Sequence, residues 1–302
     1  MPFNRIWNAD MSGNGILPLI KGVSDSEREE DKGYVIVDMN PFPDGEASRD
    51  LPGEEQERQV NVLTEVTIPT TKMASYELFK KFHDNYDWRA RHNDPVTAEE
   101  EEEILKLLQF SINTKPMEIV REYAMEKGVI GTNSSDEDWL ELIRDIWFGQ
   151  YRRNSTSAFE HIFMGEQKGR SELSGHHSWY HYHINDGPFE VTHNEDAIQF
   201  LKHVEVVGVE RSHLAEVITI KYKYEQVDSA GNKKILHKEK GGFFVGISTE
   251  GLLALGTAAF LDGREHIHIE INGESYDLNV YREDSKLRTF FPVIEQAVPA
   301  GH

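Results

Sequence analysis

From about residue 72 the apolar side chains recur at helical spacing, and past residue 204 they switch to alternation with charged residues. Met73, Leu78, Phe79, Phe82 and Tyr86 fall near one face of an amphipathic helix. Thr97 with Glu100 three residues on is a capping-box signal, and the run Glu99 to Glu103 sits at the positive end of that helix's dipole, which explains the run without a cation site. Pro116 in a first turn and Gly128 just past an end delimit a helix over 115–127. Another helix begins after Ser135 and turns Trp139, Leu142, Ile143, Ile146 and Trp147 inward, as core rather than cofactor pocket.

In the second half, VITIKYKYEQV and KILHKEKGGFFVG flank the turn DSAGN, a hairpin signal. A second hairpin, REHIHIEINGESYDLNVY, turns at Asn272-Gly273, a pair that readily takes the positive φ of a tight turn. Between them TEGLLALGTAAFL reads as a short buried helix. Helices followed by mostly antiparallel sheet predict an α+β fold, with a helical lobe over about 70–157 and a β-sheet lobe carrying the cleft over about 158–295. Residues 1–60 mix Gly, Pro, Asp and Glu around one strand-like run, YVIVDM at 34–39. They predict an irregular acidic arm, whose pieces ILPLI and YVIVDM can pack on the body, ahead of a domain over 61–302.

Composition changes this picture in three ways. The 302 residues are 38% hydrophobic, enough for a substantial core, and the absence of cysteine excludes disulfides and thiolate metal sites. No run approaches about eighteen apolar residues and the N-terminus lacks the order of a secretory signal, so an intracellular protein without a membrane partner is expected. The formal net charge of −21 argues against duplex DNA as a partner, because phosphate neutralisation needs a sizeable basic surface. Residues 221–240 nevertheless set Lys221, Lys223, Lys233, Lys234, Lys238 and Lys240 against Glu225, Asp228 and Glu239, a local positive balance that suits a few single-stranded nucleotides.

Two histidines carry the candidate chemistry. His161 in FEHIFMGE and His177 in SGHHSW lie 16 residues apart, and Lys238 in HKEKGGFFVG follows about sixty residues later. Imidazole, with an ordinary pKa of about 6.5, suits both halves of an acid–base reaction near neutral pH. An RNA-cleaving site needs one group to take the proton of a ribose 2′-OH, another to protonate the departing 5′-oxygen, and a fixed positive charge on the phosphorane, which Lys238 could supply. The repeated histidines of HHSWYHYH raise an alternative, a histidine-ligated metal hydrolase, though no H-E-x-x-H motif accompanies them.

YELFKKFHDNY, DWLELIRDIWFGQYRR, AFEHIFMGE, SGHHSW, KEKGGFFVGIS and RTFFP together, in order and spacing over roughly residues 70–295, resemble the EndoU or XendoU endoribonucleases. The resemblance implies cleavage of single-stranded RNA at uridines to give a 2′,3′-cyclic phosphate, with Mn²⁺ as a cofactor in many cellular members. It places the family histidines on His161 and His177, the latter suggested as base and the former as acid, although spacing alone leaves the two roles interchangeable. His176 takes an apolar family position. The family lysine falls on Lys238, with Lys240 as a rival. Glu160 and Glu166 look similar to glutamates tied to manganese dependence, and holding a histidine in place or capping backbone is an equally open role for them. Thr289 matches a threonine beside the uracil pocket; Phe291 stands where a tyrosine is common, and Gly242 where some members have a uracil-contacting serine. Gly242, Phe291, and Thr249 at a family proline motivate a second alternative, a catalytically inactive module of this fold that binds RNA or protein. A nuclease inside the cell also invites restraint by a regulatory protein.

Overall fold

A computed structural model describes residues 1–12, 15–29, 31–39, 62–83, 86–89, 95–150, 156–185, 198–200, 213–227, 233–283 and 286–294. The order is helix α1 (Phe3–Ser12), strands β1 (Ile16–Ile20), β2 (Gly33–Val37) and β3 (Leu63–Thr67), then helices α2 (Thr70–Lys80), α3 (Ala98–Ser111), α4 (Lys115–Glu126) and α5 (Asp136–Phe148). Then come α6 (Ala158–Phe163), β4 (Glu166–Lys168), β5 (Glu172–Ser174), α7 (Trp179–Asn185), β6 (Ile198–Phe200), β7 (Val217–Val227) and β8 (Lys233–Phe244). Helix α8 (Thr249–Asp262) and strands β9 (His266–Ile271), β10 (Glu274–Glu283) and β11 (Lys286–Ile294) complete the α+β fold.

The capping signals act as read, but α2 stops at Lys80, short of Phe82 and Tyr86, and buries Lys72, Ser75, Tyr76 and Phe79 in place of Met73 and Leu78. Thr97 and Glu100 cap α3 reciprocally, Ser135 and Asp138 do the same for α5, and α4 carries Pro116 in its first turn. Trp139 and Trp147 of α5 are fully buried, the latter donating from its indole to Thr257 Oγ1 of α8 at 3.0 Å. Helix α8 is buried along most of its length, as its apolar sequence requires, and stops at Gly263 with φ 91°.

Two sheets frame the site. One runs β4-β5-β8-β7-β6 and the other β11-β10-β9. Both expected hairpins form: β7 pairs antiparallel with β8, and β9 with β10 across Asn272 (φ 53°) and Gly273 (φ 85°). The two sheets meet where β8 approaches β11, so closely that a Cβ on Gly242 would lie 2.2 Å from Pro292 O.

The first forty residues depart from an irregular arm. Helix α1 buries Phe3, Ile6 and Trp7, and β1 pairs in parallel with β2, which pairs antiparallel with β3. Pro18 fits because β1 is an edge strand, where a missing N–H costs no ladder bond. Asp10, wholly buried, accepts from Lys72 Nζ at 2.9 Å and from Ser248 N at 2.9 Å, which fastens α1 to α2 and α8. Burial, then the nearby Asp10, pushes the Glu250 carboxyl of the same cluster upward. Residues 40–60 of the expected arm lie outside the described part. No helix among the described residues is long and apolar enough to cross a membrane.

Candidate active site

Helix α6 opens with a third capping box. Ser157 Oγ accepts from Glu160 N at 3.2 Å, and Glu160 Oε2 accepts from Ser157 N at 2.6 Å. The next residue, His161, is buried, and its Nδ1 lies 2.8 Å from Glu166 Oε1 at the start of β4. Arg288 Nη2 donates to that same oxygen at 2.6 Å, and Thr156 Oγ1 donates to Glu166 Oε2 at 2.6 Å. Burial by itself would raise the Glu166 carboxyl, but the bond and charge of His161, with Thr156 and Arg288, outweigh it and hold the group at about 2. An ionised Glu166 can only accept, so His161 carries a proton on Nδ1 and presents Nε2 elsewhere. Burial draws the His161 pKa down, against the pull of Glu166.

His177 reaches the same place through a tight turn laid along α6. His176 N donates to His161 O at 2.9 Å and His177 N to Ile162 O at 2.6 Å. Gly175 makes that approach possible: its φ is 70°, and a Cβ there would lie 1.9 Å from His161 O, so only glycine fits. His177 Nδ1 donates to Gly242 O at 3.1 Å, since a carbonyl can only accept. Its ring stacks on Phe291, centroids 4.6 Å apart and planes 10° from parallel. Burial, then the charge of Lys238 and of His161, holds His177 well below the usual imidazole range.

Lys238 is 6% exposed and donates from Nζ to Gly175 O, at the head of the turn that carries His177. Burial draws its ammonium down to about 7, with Glu172 opposing and Lys168 adding. His161, His177 and Lys238 are thus brought together and act on one another electrostatically. The side chain of the rival, Lys240, lies outside the described part, as do those of Lys221, Lys223 and Lys233. Of the remaining lysines in that stretch, Lys234 sits over the Trp88 ring, 5.9 Å from its centroid.

The residues expected to touch the base divide. Thr289 pairs with Tyr281 across β11 and β10; it is 9% exposed, and its Oγ1 has no hydrogen-bond partner, an unmet donor facing a polar ligand would satisfy. Phe291 lies against His177, with Tyr281 6.3 Å from it in a second stack, so the ring plane is committed to holding the imidazole. Gly242 contributes backbone alone: its carbonyl holds His177, and Pro292 O closes the space a side chain would use.

The donors expected for Mn²⁺ do not fit an ion as they stand. Glu160 is engaged by the backbone of its own helix start, and both oxygens of Glu166 accept from protein donors. No group of three His, Asp or Glu side chains suited to a metal occurs among the described residues, which bears equally on the histidine-ligated hydrolase.

Of the other histidines of the segment, all buried, His176 and His181 form a chain. His176, at φ 62°, bonds through Nδ1 to the Tyr222 hydroxyl and through Nε2 to His181 Nδ1 at 2.7 Å. Burial pulls His176 down to about 3 and His183 to about 4. Their unfolded pKa is about 6.5, so the stability they allow is complete above that value and is lost as pH falls toward 4. At pH 5 the two together should cost about 4 kcal/mol, a fall in Tm on the order of 10 °C from its pH 7.5 value. Thermal melts at the two pH values check this, and an unchanged Tm contradicts it.

Sequence reading missed Arg288, Thr156 and Tyr222 as partners of the site. Arg288 had one visible signal, a lone cation inside the apolar strand LRTFFP. Thr156 and Tyr222 had none.

The family model for endoribonuclease XendoU matches residues 24–292. The uridylate-specific endoribonuclease EndoU of Drosophila melanogaster is 28% identical over 204 residues, covering 66% of this chain and 57% of that protein. The poly(U)-specific endoribonuclease of Xenopus tropicalis is 25% identical over 305 residues, covering 97% and 92%. A solved structure, "The structure of XendoU: a splicing independent snoRNA processing endoribonuclease", superimposes with a TM-score of 0.65 at 22% identity over 97% of this chain and 96% of that one, which establishes a shared fold. These matches place the chain among endoribonucleases, enzymes that act on RNA. It belongs to the XendoU family.

Proposed function

We propose that the protein cuts single-stranded RNA at uridines by attack of the ribose 2′-OH on the adjacent phosphate. The observation that carries this reading is the matched engagement of both imidazoles: each Nδ1 is held by an acceptor, so each Nε2 is the atom left to meet a substrate, and the Lys238 ammonium acts electrostatically on both rings. His177 is the base. Its Nδ1 meets a neutral carbonyl, and its depressed pKa keeps Nε2 free of a proton. His161 is the acid: burial draws both imidazoles down, but the ionised Glu166 behind His161 opposes that pull, a support the neutral carbonyl behind His177 does not give. As the 2′-oxygen bonds to phosphorus, its proton passes to His177; the bond from phosphorus to the 5′-oxygen breaks, and His161 protonates the leaving oxygen. Lys238 opposes the charge on the phosphorane, and the product ends in a 2′,3′-cyclic phosphate.

Thr289 supplies the hydroxyl that meets the uracil edge, in keeping with the names of the Drosophila and Xenopus relatives. Mn²⁺ remains attached to this reading as a requirement to test, with no step assigned to it. The experiment is incubation of the protein with a short single-stranded RNA holding one uridine, in Mn²⁺ and in chelator. The expected result is one cut after the uridine, with a cyclic phosphate end. Binding without cutting in both conditions supports the inactive module instead, and a 3′-hydroxyl end implies a different reaction.

A further inference from the structure

Strand β11 does not pair evenly with β10. Thr289 lies opposite Tyr281, but Leu287 lies opposite Arg282, so Arg288 is the extra residue of a β-bulge. A bulge re-aims the side chain it carries. Here it sends the guanidinium across to Glu166 Oε1, 2.6 Å away, the oxygen that also holds His161 Nδ1 at 2.8 Å. The Glu166 side chain is 7% exposed and that of Arg288 31%. A carboxylate taken out of water needs a countercharge, and the imidazole and hydroxyl that also hold Glu166 carry no permanent one. Arg288 supplies it, in a planar guanidinium that fixes the direction of the carboxylate as well as its charge.

We propose that Arg288 is a positioning residue for cleavage, acting through Glu166 to fix the ring of His161 and so tying β11, the strand of Thr289 and Phe291, to the proton donor. The inference rests on the reading of His161 as acid. It gives Arg288 a role in the chemical step and none in holding RNA, which separates it from a phosphate clamp.

The test is steady-state cleavage of the single-uridine RNA by the full chain carrying Arg288→Ala, Arg288→Lys or Glu166→Gln, and by the Arg288→Ala, Glu166→Gln double variant. Arg288→Ala should lower kcat about 10- to 100-fold with KM nearly unchanged. Added methylguanidinium should restore part of the loss, and Arg288→Lys, which keeps the charge without the planar fork, should fall between. The double variant should be no slower than Glu166→Gln alone, because the two residues act as one unit. An unchanged kcat, a loss confined to KM, or losses that multiply in the double variant overturn the proposal, and Arg288→Lys answers the first two should the alanine variant fail to fold. A wild-type protein that does not cut overturns the functional reading and this inference together; a wild type that cuts alongside an undisturbed Arg288→Ala overturns this inference alone.

Discussion

His177→Ala is expected to lower kcat by about 10²- to 10⁴-fold, the range that a positioned general base contributes. The imidazole is fixed on two sides, by its bond to Gly242 O at 3.1 Å and by the stack on Phe291. His161→Ala should cost a similar factor. The double variant should be little slower than either alone, because the acid and the base serve one proton-transfer sequence and neither helps much without the other. Single-turnover cleavage of the single-uridine RNA measures all three. Two independent factors that multiply would place one histidine outside the chemistry.

Lys238→Ala should lower kcat by about 10²- to 10³-fold, the usual loss on removing one donor from a developing oxyanion. The pH dependence makes the prediction sharper. Burial brings Lys238 to about 7, so in the free enzyme the side chain is charged below that pH and neutral above it. Stabilisation of the phosphorane needs the charged form, and kcat/KM should therefore decline as pH rises through about 7. A bound phosphate favours the ammonium, so the same limb in kcat should lie at higher pH. Lys238→Arg, charged throughout the accessible range, should lose the limb near 7 and keep only the decline that loss of the His161 imidazolium sets at lower pH, whatever its absolute rate. A wild-type limb that persists unchanged in Lys238→Arg would assign it to another group.

Much of the frame was legible because its signals are local. Thr97 with Glu100 and Asn272 with Gly273 each state their element within four residues, and each forms as written. The elements that stayed hidden depend on distant partners. Strand β1 contains Pro18, which argues against a strand until the parallel pairing with β2 and the edge position are known. The buried Asp10 is explained only by Lys72 and Ser248, 62 and 238 residues away.

The site divides in the same way. His161, His177 and Lys238 carry their chemistry in their residue types, and the fold brings them together. Glu160 and Glu166 left two readings open, donors to a metal or groups that hold a histidine and cap backbone, and the contacts follow the second: Glu160 is spent on a helix cap and Glu166 orients His161. Gly242 and Phe291 likewise have sequence positions that suggest the base, while their contacts run to His177. Arg288 depends on a bulge in β11, and no local pattern encodes that irregularity.

The central claim is that the nucleophile belongs to the substrate. One oligonucleotide tests it: the single-uridine RNA in which that uridine alone is replaced by 2′-deoxyuridine, incubated with wild-type protein under the conditions that cut the unmodified strand. Binding with no cleavage at that position is the expected result. Continued cleavage there would mean that water, or a group on the protein, attacks the phosphate, and the roles given to His177 and His161 would be wrong.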